Sequence, residues 1–278
     1  MILREPCLPS CWYPRQKVAV EEFLGPYKNR SADAAVAIAP HAGWYYSGRT
    51  AALAVASLDR KAETVAVIGG HLPSGMPVLM AAEDGVKTPF GTLLIDAELR
   101  GEFEKQLSAE IKPAGNDRYK DNTVEVLLPM LLYFFPEAAL LWLRFPAEQS
   151  SFEAGKLLGK AAKALGRRIV VLASTDLTHY GDNYGFSPKG RGKSALEWVK
   201  NVNDAAFINA VLGGNPSQVL DCAENDSSSC SAGAVLGALG FASSLGKTAK
   251  LLEYRTSADV SADDIPDSFV GYAAITFG

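Results

Sequence analysis

This chain holds three histidines, and each follows within a few residues of an apolar, β-branched run. Residues 34–39 lead into Pro40-His41-Ala42-Gly43, and residues 63–68 lead into Gly69-Gly70-His71. Residues 168–173 lead into Ser174-Thr175-Asp176-Leu177-Thr178-His179. Short runs of this kind, bounded by Gly, Pro or Ser, read as buried strands, and their alternation with helical patterns reads as an α/β domain. In open α/β sheets the loops at the carboxyl ends of the strands carry ligands. One histidine so placed has an ordinary explanation in capping, but three out of three favour a shared site. Neutral imidazole is the commonest ligand of a catalytic metal near pH 7.

The rest of the chain fills in around these strands. Residues 16–24 read as a helix ahead of the first strand, and Ser47 is expected to cap an alanine-rich helix over 48–58. Residues 78–82 and 92–95 read as strands flanking a turn at 87–91, followed by a helix over 96–107. A buried helix is expected over 124–135, a strand over 138–143 and a helix over 152–165. Helices follow at 195–211, after Asn215-Pro216-Ser217, and at 234–245, with closing strands at 250–254 and 268–277. Cys230 falls at or just before the amino end of the 234–245 helix. Free backbone N–H groups and the helix dipole favour thiolate there, the metal-ligating form, although a small buried residue reads equally well. Cys7 and Cys11 read as two ordinary thiols or as a metal or redox pair.

With 278 residues the chain is long enough for one domain over 1–278, and a net charge of −4 provides no basic field for nucleic acid or anionic membrane. No apolar run approaches spanning length and the first residues carry no signal core, so a cytoplasmic protein is expected. Four cysteines are too sparse for a disulfide scaffold. No Gly-x-Ser-x-Gly elbow, P-loop or dinucleotide fingerprint is present.

An ordered set of motifs runs nearly end to end. It comprises Arg4-Glu5-Pro6, Trp12-Tyr13-Pro14, Pro40-His41-Ala42-Gly43, Tyr46-Ser47-Gly48, Gly69-Gly70-His71 and Thr88-Pro89-Phe90-Gly91. Val124-Glu125-Val126, Leu128-Pro129, Ser174-Thr175-Asp176, His179-Tyr180, Cys230, Tyr254, Thr256-Ser257 and Val270-Gly271-Tyr272 complete it. In these the chain resembles the Memo family, whose bacterial and archaeal members are called AmmeMemoRadiSam system protein B. The resemblance implies a fold similar to class III extradiol dioxygenases: a single α/β domain with a mixed central β-sheet flanked by helices. It also implies metal ligands at His41, His71 and Cys230, with Asp176 and His179 beside them and Trp12 and Tyr46 lining the pocket. The family name implies radical-SAM and AMMECR-type protein partners. Two departures stand out: Asp121-Asn122-Thr123 replaces the family's Glu-His-Ser, and Ser231-Ala232 replaces a Gly-Arg pair.

Two imidazoles and a thiolate would leave coordination positions open. Extradiol enzymes hold Fe(II) with a carboxylate as the third ligand; a softer sulfur moves the preference toward zinc, copper or a different iron state. The leading expectation is a metal-dependent, dioxygenase-like redox enzyme acting on an unknown small molecule or peptide. His179 would shuttle a proton, with Asp176 orienting it or capping a turn. The alternatives are a zinc hydrolase using His179 or Glu125 as base, and a non-catalytic metal- or peptide-binding protein presenting Trp12, Trp44, Tyr45 and Tyr46.

Overall fold

A computed structural model describes residues 1–89, 91–260 and 265–278. Its centre is a nine-stranded mixed sheet. Four strands run parallel in the order Val36–Ala39, Ile169–Ser174, Thr64–Leu72 and Ala139–Pro146. Their residues are buried almost throughout, which is why they read as continuous apolar runs and not as alternating ones. Ser268–Phe277 joins antiparallel beside Val36–Ala39 and also pairs with His179–Gly181 and Ala249–Thr256. Leu79–Met80 and Gly115–Asn116 close the other edge. Apolar clusters fill both faces of the sheet. Among the described residues no helix is long and apolar enough to cross a membrane.

Parallel pairing puts the carboxyl ends of three strands at one edge. Ala39 pairs with Ser174 and Ile68 with Ala173, so His41 and Asp176, on the loops beyond two of these strands, reach the same edge as His71; the expected 63–68 strand runs on through Gly69 and Gly70 to Leu72 and contains His71. The Ala232–Ser244 helix brings Cys230 to the same edge. It is buried from Ala232 to Ala242, as a helix apolar on all sides must be. Small residues let it lie against the Ser150–Ala164 helix at close range: a Cβ on Gly240 would come within 1.9 Å of the Phe152 carbonyl oxygen.

Several local expectations are corrected. The alanine-rich helix spans Trp44–Ala56 and starts from Gly43; Ser47 lies inside it and donates to the Ala42 carbonyl. It starts early because Trp44 is anchored at both ends, its backbone N–H on the Trp12 carbonyl and its indole N–H on that of Val126. The expected 124–135 helix is two pieces, Asn122–Glu125 and Leu128–Phe134, with Pro129 restarting the second turn. The hairpin strands are Gly85–Thr88 and Gly91–Leu94, while Leu79–Met80, from the expected 78–82 strand, pairs in the central sheet. Phe90 of the turn motif lies outside the described residues. The expected 195–211 helix is interrupted by a π-helical segment, Val199–Asn203.

Glycine-to-alanine changes in helices ordinarily stabilise by up to about 1 kcal/mol. Gly101, on the Ala97–Glu110 helix, has nothing near a new Cβ, so Gly101→Ala should stabilise by roughly that amount. Gly240→Ala drives a methyl into backbone and should destabilise by about 2 kcal/mol or more, the opposite sign, in urea titrations of both variants.

Candidate metal centre

His41 stands two residues past its strand, almost fully buried at 1 % exposure. Its backbone N–H donates to Asp176 Oδ1 at 2.7 Å, and Nδ1 lies 2.8 Å from Ser174 Oγ. Nε2 is left facing Cys230 Sγ at 3.2 Å. His71, by contrast, takes a left-handed backbone with φ 56°, one of two non-glycine residues with positive φ among those described. That conformation costs a residue with a Cβ roughly 1–2 kcal/mol. The ring it places meets Asp121 Oδ2 through Nδ1 at 3.0 Å, so Nε2 is again the free nitrogen. The two rings stand edge to face with centroids 5.0 Å apart.

Cys230 precedes Ser231, which starts the Ala232–Ser244 helix, and its own N–H is tied to the Asp176 carbonyl. The donor atoms of His41, His71 and Cys230 all lie within 4.8 Å of one another. Gly70 makes this convergence possible: a Cβ there would come within 2.4 Å of Ser231 Cβ. The set fits a metal ion, since both imidazoles are held from behind through Nδ1 and present Nε2 forward beside a sulfur.

Electrostatics follow from that proximity. Burial opposes a Cys230 thiolate, but the neighbouring His41 and His71 rings outweigh it and hold the thiol well below its ordinary range. Burial likewise opposes charge on His41, yet Asp176 and Cys230 raise its pKa. Burial opposes charge on His71, and its bonds to Asp121 and Cys230 raise it to about 10. Asp121 is held well below the carboxylate range against burial by His71, Thr123 and Arg144. Buried Arg144 joins this group, reaching Asp121, Asp117 and the Gly70 carbonyl. Burial raises Asp176 despite the adjacent His41.

His179 begins its own short strand. Its Nδ1 lies 3.0 Å from the Leu177 carbonyl, which can only accept, so Nδ1 carries the proton and Nε2 is the free basic nitrogen. The orienting partner of His179 is therefore the Leu177 carbonyl, and the Asp176 carboxylate instead receives the His41 backbone. A cavity of about 710 Å³ opens over these groups, lined by His41, His71, Asp176, His179, Trp12 and Tyr46 among others. Tyr184 and Tyr272 also line it, with hydroxyls kept protonated by burial and by the Asp176 charge.

Glu125, named above as a hydrolytic base, does not line this cavity. Its carboxylate is occupied by the N–H groups of Cys7 and Leu8, the Cys7 thiol and the Tyr13 hydroxyl. Cys7 is thereby kept a thiol, burial and Glu125 pushing it up to about 11. The Asp121-Asn122-Thr123 departure also acquires a role: Asp121 holds the His71 ring, and Asn122 Nδ2 donates to the His41 carbonyl at 3.1 Å. Sequence reading missed Ser174, Asp121 and Arg144 as supports. Arg144 carried a signal, since a charge inside the apolar strand Ala139–Pro146 requires a buried partner.

A raised His71 pKa makes its contribution to stability pH-dependent. The contribution is complete below the ordinary value of 6.5 and is lost as pH rises toward about 10. The lowered Cys230 thiol contributes in the opposite direction up to its ordinary value of 9.0, so the His71 component is read as a difference: in metal-free protein, His71→Gln should make the change in stability from pH 6.5 to about 10 less negative than in the native chain, in urea titrations followed across pH.

The chain matches the family model described as Memo-like protein over residues 4–276. A MEMO1 family protein of Pyrococcus abyssi is 32 % identical over 293 residues, covering 99 % of each chain. One from Methanosarcina mazei is 31 % identical with the same coverage, and one from Desulfurococcus amylolyticus is 30 % identical over 86 % of this chain and 81 % of its own. With a match of this extent, and with His41, His71 and Cys230 brought together at one sheet edge, the chain belongs to the Memo family.

Proposed function

We propose that this protein is a metal-dependent redox enzyme of the dioxygenase-like kind, with its metal held by His41, His71 and Cys230. The observation that carries the reading is the convergence of these three donors, with His41 and His71 lining a roomy cavity to which a third imidazole, His179, presents its free Nε2. A bound iron or copper would supply one-electron and oxygen chemistry; two imidazoles and a thiolate suit both metals, and also zinc. The chain's own residues do the rest. Trp12, Tyr46, Tyr184 and Tyr272 enclose an aromatic or other planar substrate and exclude water. His179 Nε2 takes a proton from a substrate hydroxyl, with the Leu177 carbonyl holding the tautomer that leaves this nitrogen free. Asp176 keeps His41 in place through its backbone. A reducing cytoplasm would keep Cys230 available as a ligand, and radical-SAM and AMMECR-type proteins are the partners to test first.

A second reading rests on Tyr45 and Tyr46, which are 71 % and 54 % exposed at the cavity mouth. Amphipathic rings presented in this way suit a bound peptide, and the protein would then hold metal and ligand without turnover. The occupied Glu125 carboxylate leaves the hydrolase reading with His179 as its base.

Oxygen uptake separates the readings. Protein purified without oxygen, loaded with Fe(II), copper or zinc and offered a panel of catechols and other phenols, should consume oxygen with iron or copper. His179→Ala should lower that rate by about 100-fold or more. Saturable binding without oxygen uptake under every metal would favour the binding protein, and oxygen-independent ester or amide cleavage with zinc would favour the hydrolase.

A further inference from the structure

Behind the His179 loop lies a buried carboxylate that no step above uses. Asp204 is fully buried, at the start of the Asp204–Leu212 helix. Its hydrogen bonds come from neutral donors: the Thr178 N–H at 3.0 Å and the Thr178 hydroxyl on Oδ1, and the Tyr254 hydroxyl at 2.7 Å on Oδ2. Among the described residues no Lys or Arg forms an ion pair with it. Burial pushes its pKa up to about 6 against the pull of Thr178 and Tyr254. Burying a carboxylate without a cation is costly, and stability alone does not account for it.

Every polar atom of Thr178 is taken. Asp204 holds the N–H and the hydroxyl proton, Asn203 Nδ2 donates to the hydroxyl oxygen at 2.9 Å, and the Gly271 N–H donates to the carbonyl at 3.0 Å. The neighbouring Leu177 N–H is held by the Gly271 carbonyl. Gly271 is required at this point, since a Cβ there would come within 2.0 Å of Asp204 Oδ2. Asn203 and Asp204, adjacent in sequence, both reach Thr178 where the π-helical segment Val199–Asn203 ends, and π segments tend to occur at functional sites.

The bond from His179 Nδ1 to the Leu177 carbonyl spans one residue, Thr178. The backbone angles of Thr178 thus decide whether the ring can reach that carbonyl. We propose that Asp204, with Asn203 and Tyr254, is a positioning residue for His179: by clamping Thr178 it fixes the ring orientation and the Nδ1–H tautomer, so that Nε2 faces the cavity. The proposal rests on the reading of His179 as the proton-handling group, and it is tested without metal, oxygen or substrate, so absence of turnover would leave its outcome unaffected.

The test is the tautomer of His179 in metal-free, 15N-labelled protein at about pH 8, where an ordinary imidazole is neutral. With three histidines in the chain the ring signals can be assigned by single substitutions. The native protein should show His179 predominantly as Nδ1–H. Asp204→Ala should shift the Nδ1–H to Nε2–H ratio by about tenfold or more toward Nε2–H, leaving the His41 and His71 signals in place. Asp204→Asn, which still offers an acceptor to Thr178, should largely restore the native ratio. Thr178→Val keeps the shape and backbone N–H but removes the hydroxyl bonds, and should fall between; it decides the question if Asp204→Ala does not fold. An unchanged ratio in folded Asp204→Ala, or in Thr178→Val where Asp204→Ala fails to fold, would overturn the proposal and leave Asp204 as a packing element.

Discussion

The approach of the Cys230 sulfur to two imidazoles is the interaction on which the site depends. A thiolate removed from water is unfavourable unless positive charge stands beside it, and His41 Nε2 at 3.2 Å with His71 close by provides that charge. The arrangement has two consistent forms, imidazolium–thiolate without a metal and imidazole–metal–thiolate with one. A metal bound here would exchange for those protons, and its affinity would rise with pH. The rest of the fold delivers these three side chains from segments far apart in sequence: two strand ends and the residue preceding a buried helix start.

What holds the rings is as specific as the rings themselves. His41 leans through its ring on Ser174, the last residue of the neighbouring parallel strand, and through its backbone on Asp176, two residues beyond it, so sheet register positions the imidazole. His71 depends on Asp121, which depends in turn on Arg144. The left-handed backbone at His71 is tolerated because these bonds and the packing of Gly70 on Ser231 over-determine it. His179 is built on another principle, with a backbone carbonyl as its partner and a clamped residue between. The three imidazoles are therefore held by three different partners: a hydroxyl, a carboxylate and a backbone carbonyl.

The strands and their histidines were legible because buried parallel strands leave unbroken apolar runs, and Pro40 and Ser174 mark where two of them stop; the third runs on through Gly69 and Gly70 to Leu72, which the glycines concealed. Cys230 was legible as the start of a small-residue helix. The supports were not. Asp121 was visible as a departure from the family pattern, but its pairing with His71 crosses 50 residues, and no periodicity predicts it. Asp204 reaches Thr178 through a π-helical segment, a local change of register without a sequence signature. Ser47 gave a cap signal that the burial and anchoring of Trp44 overrode, and Pro129 divided a segment whose apolar content read as one helix. Asp176 was expected beside the site from the family resemblance and near His179 from its spacing, and its carboxylate accepts from the His41 amide.

The most direct measurement is X-ray absorption at the metal edge on protein purified without added metal and without oxygen, beside Cys230→Ala. The first coordination sphere should contain one sulfur and at least two imidazole nitrogens, with sulfur near 2.3 Å if the metal is zinc. The sulfur contribution should vanish in the variant. A sphere of oxygen and nitrogen alone in the native protein, or no metal retained even after reconstitution, would contradict the assignment of His41, His71 and Cys230 as a metal centre.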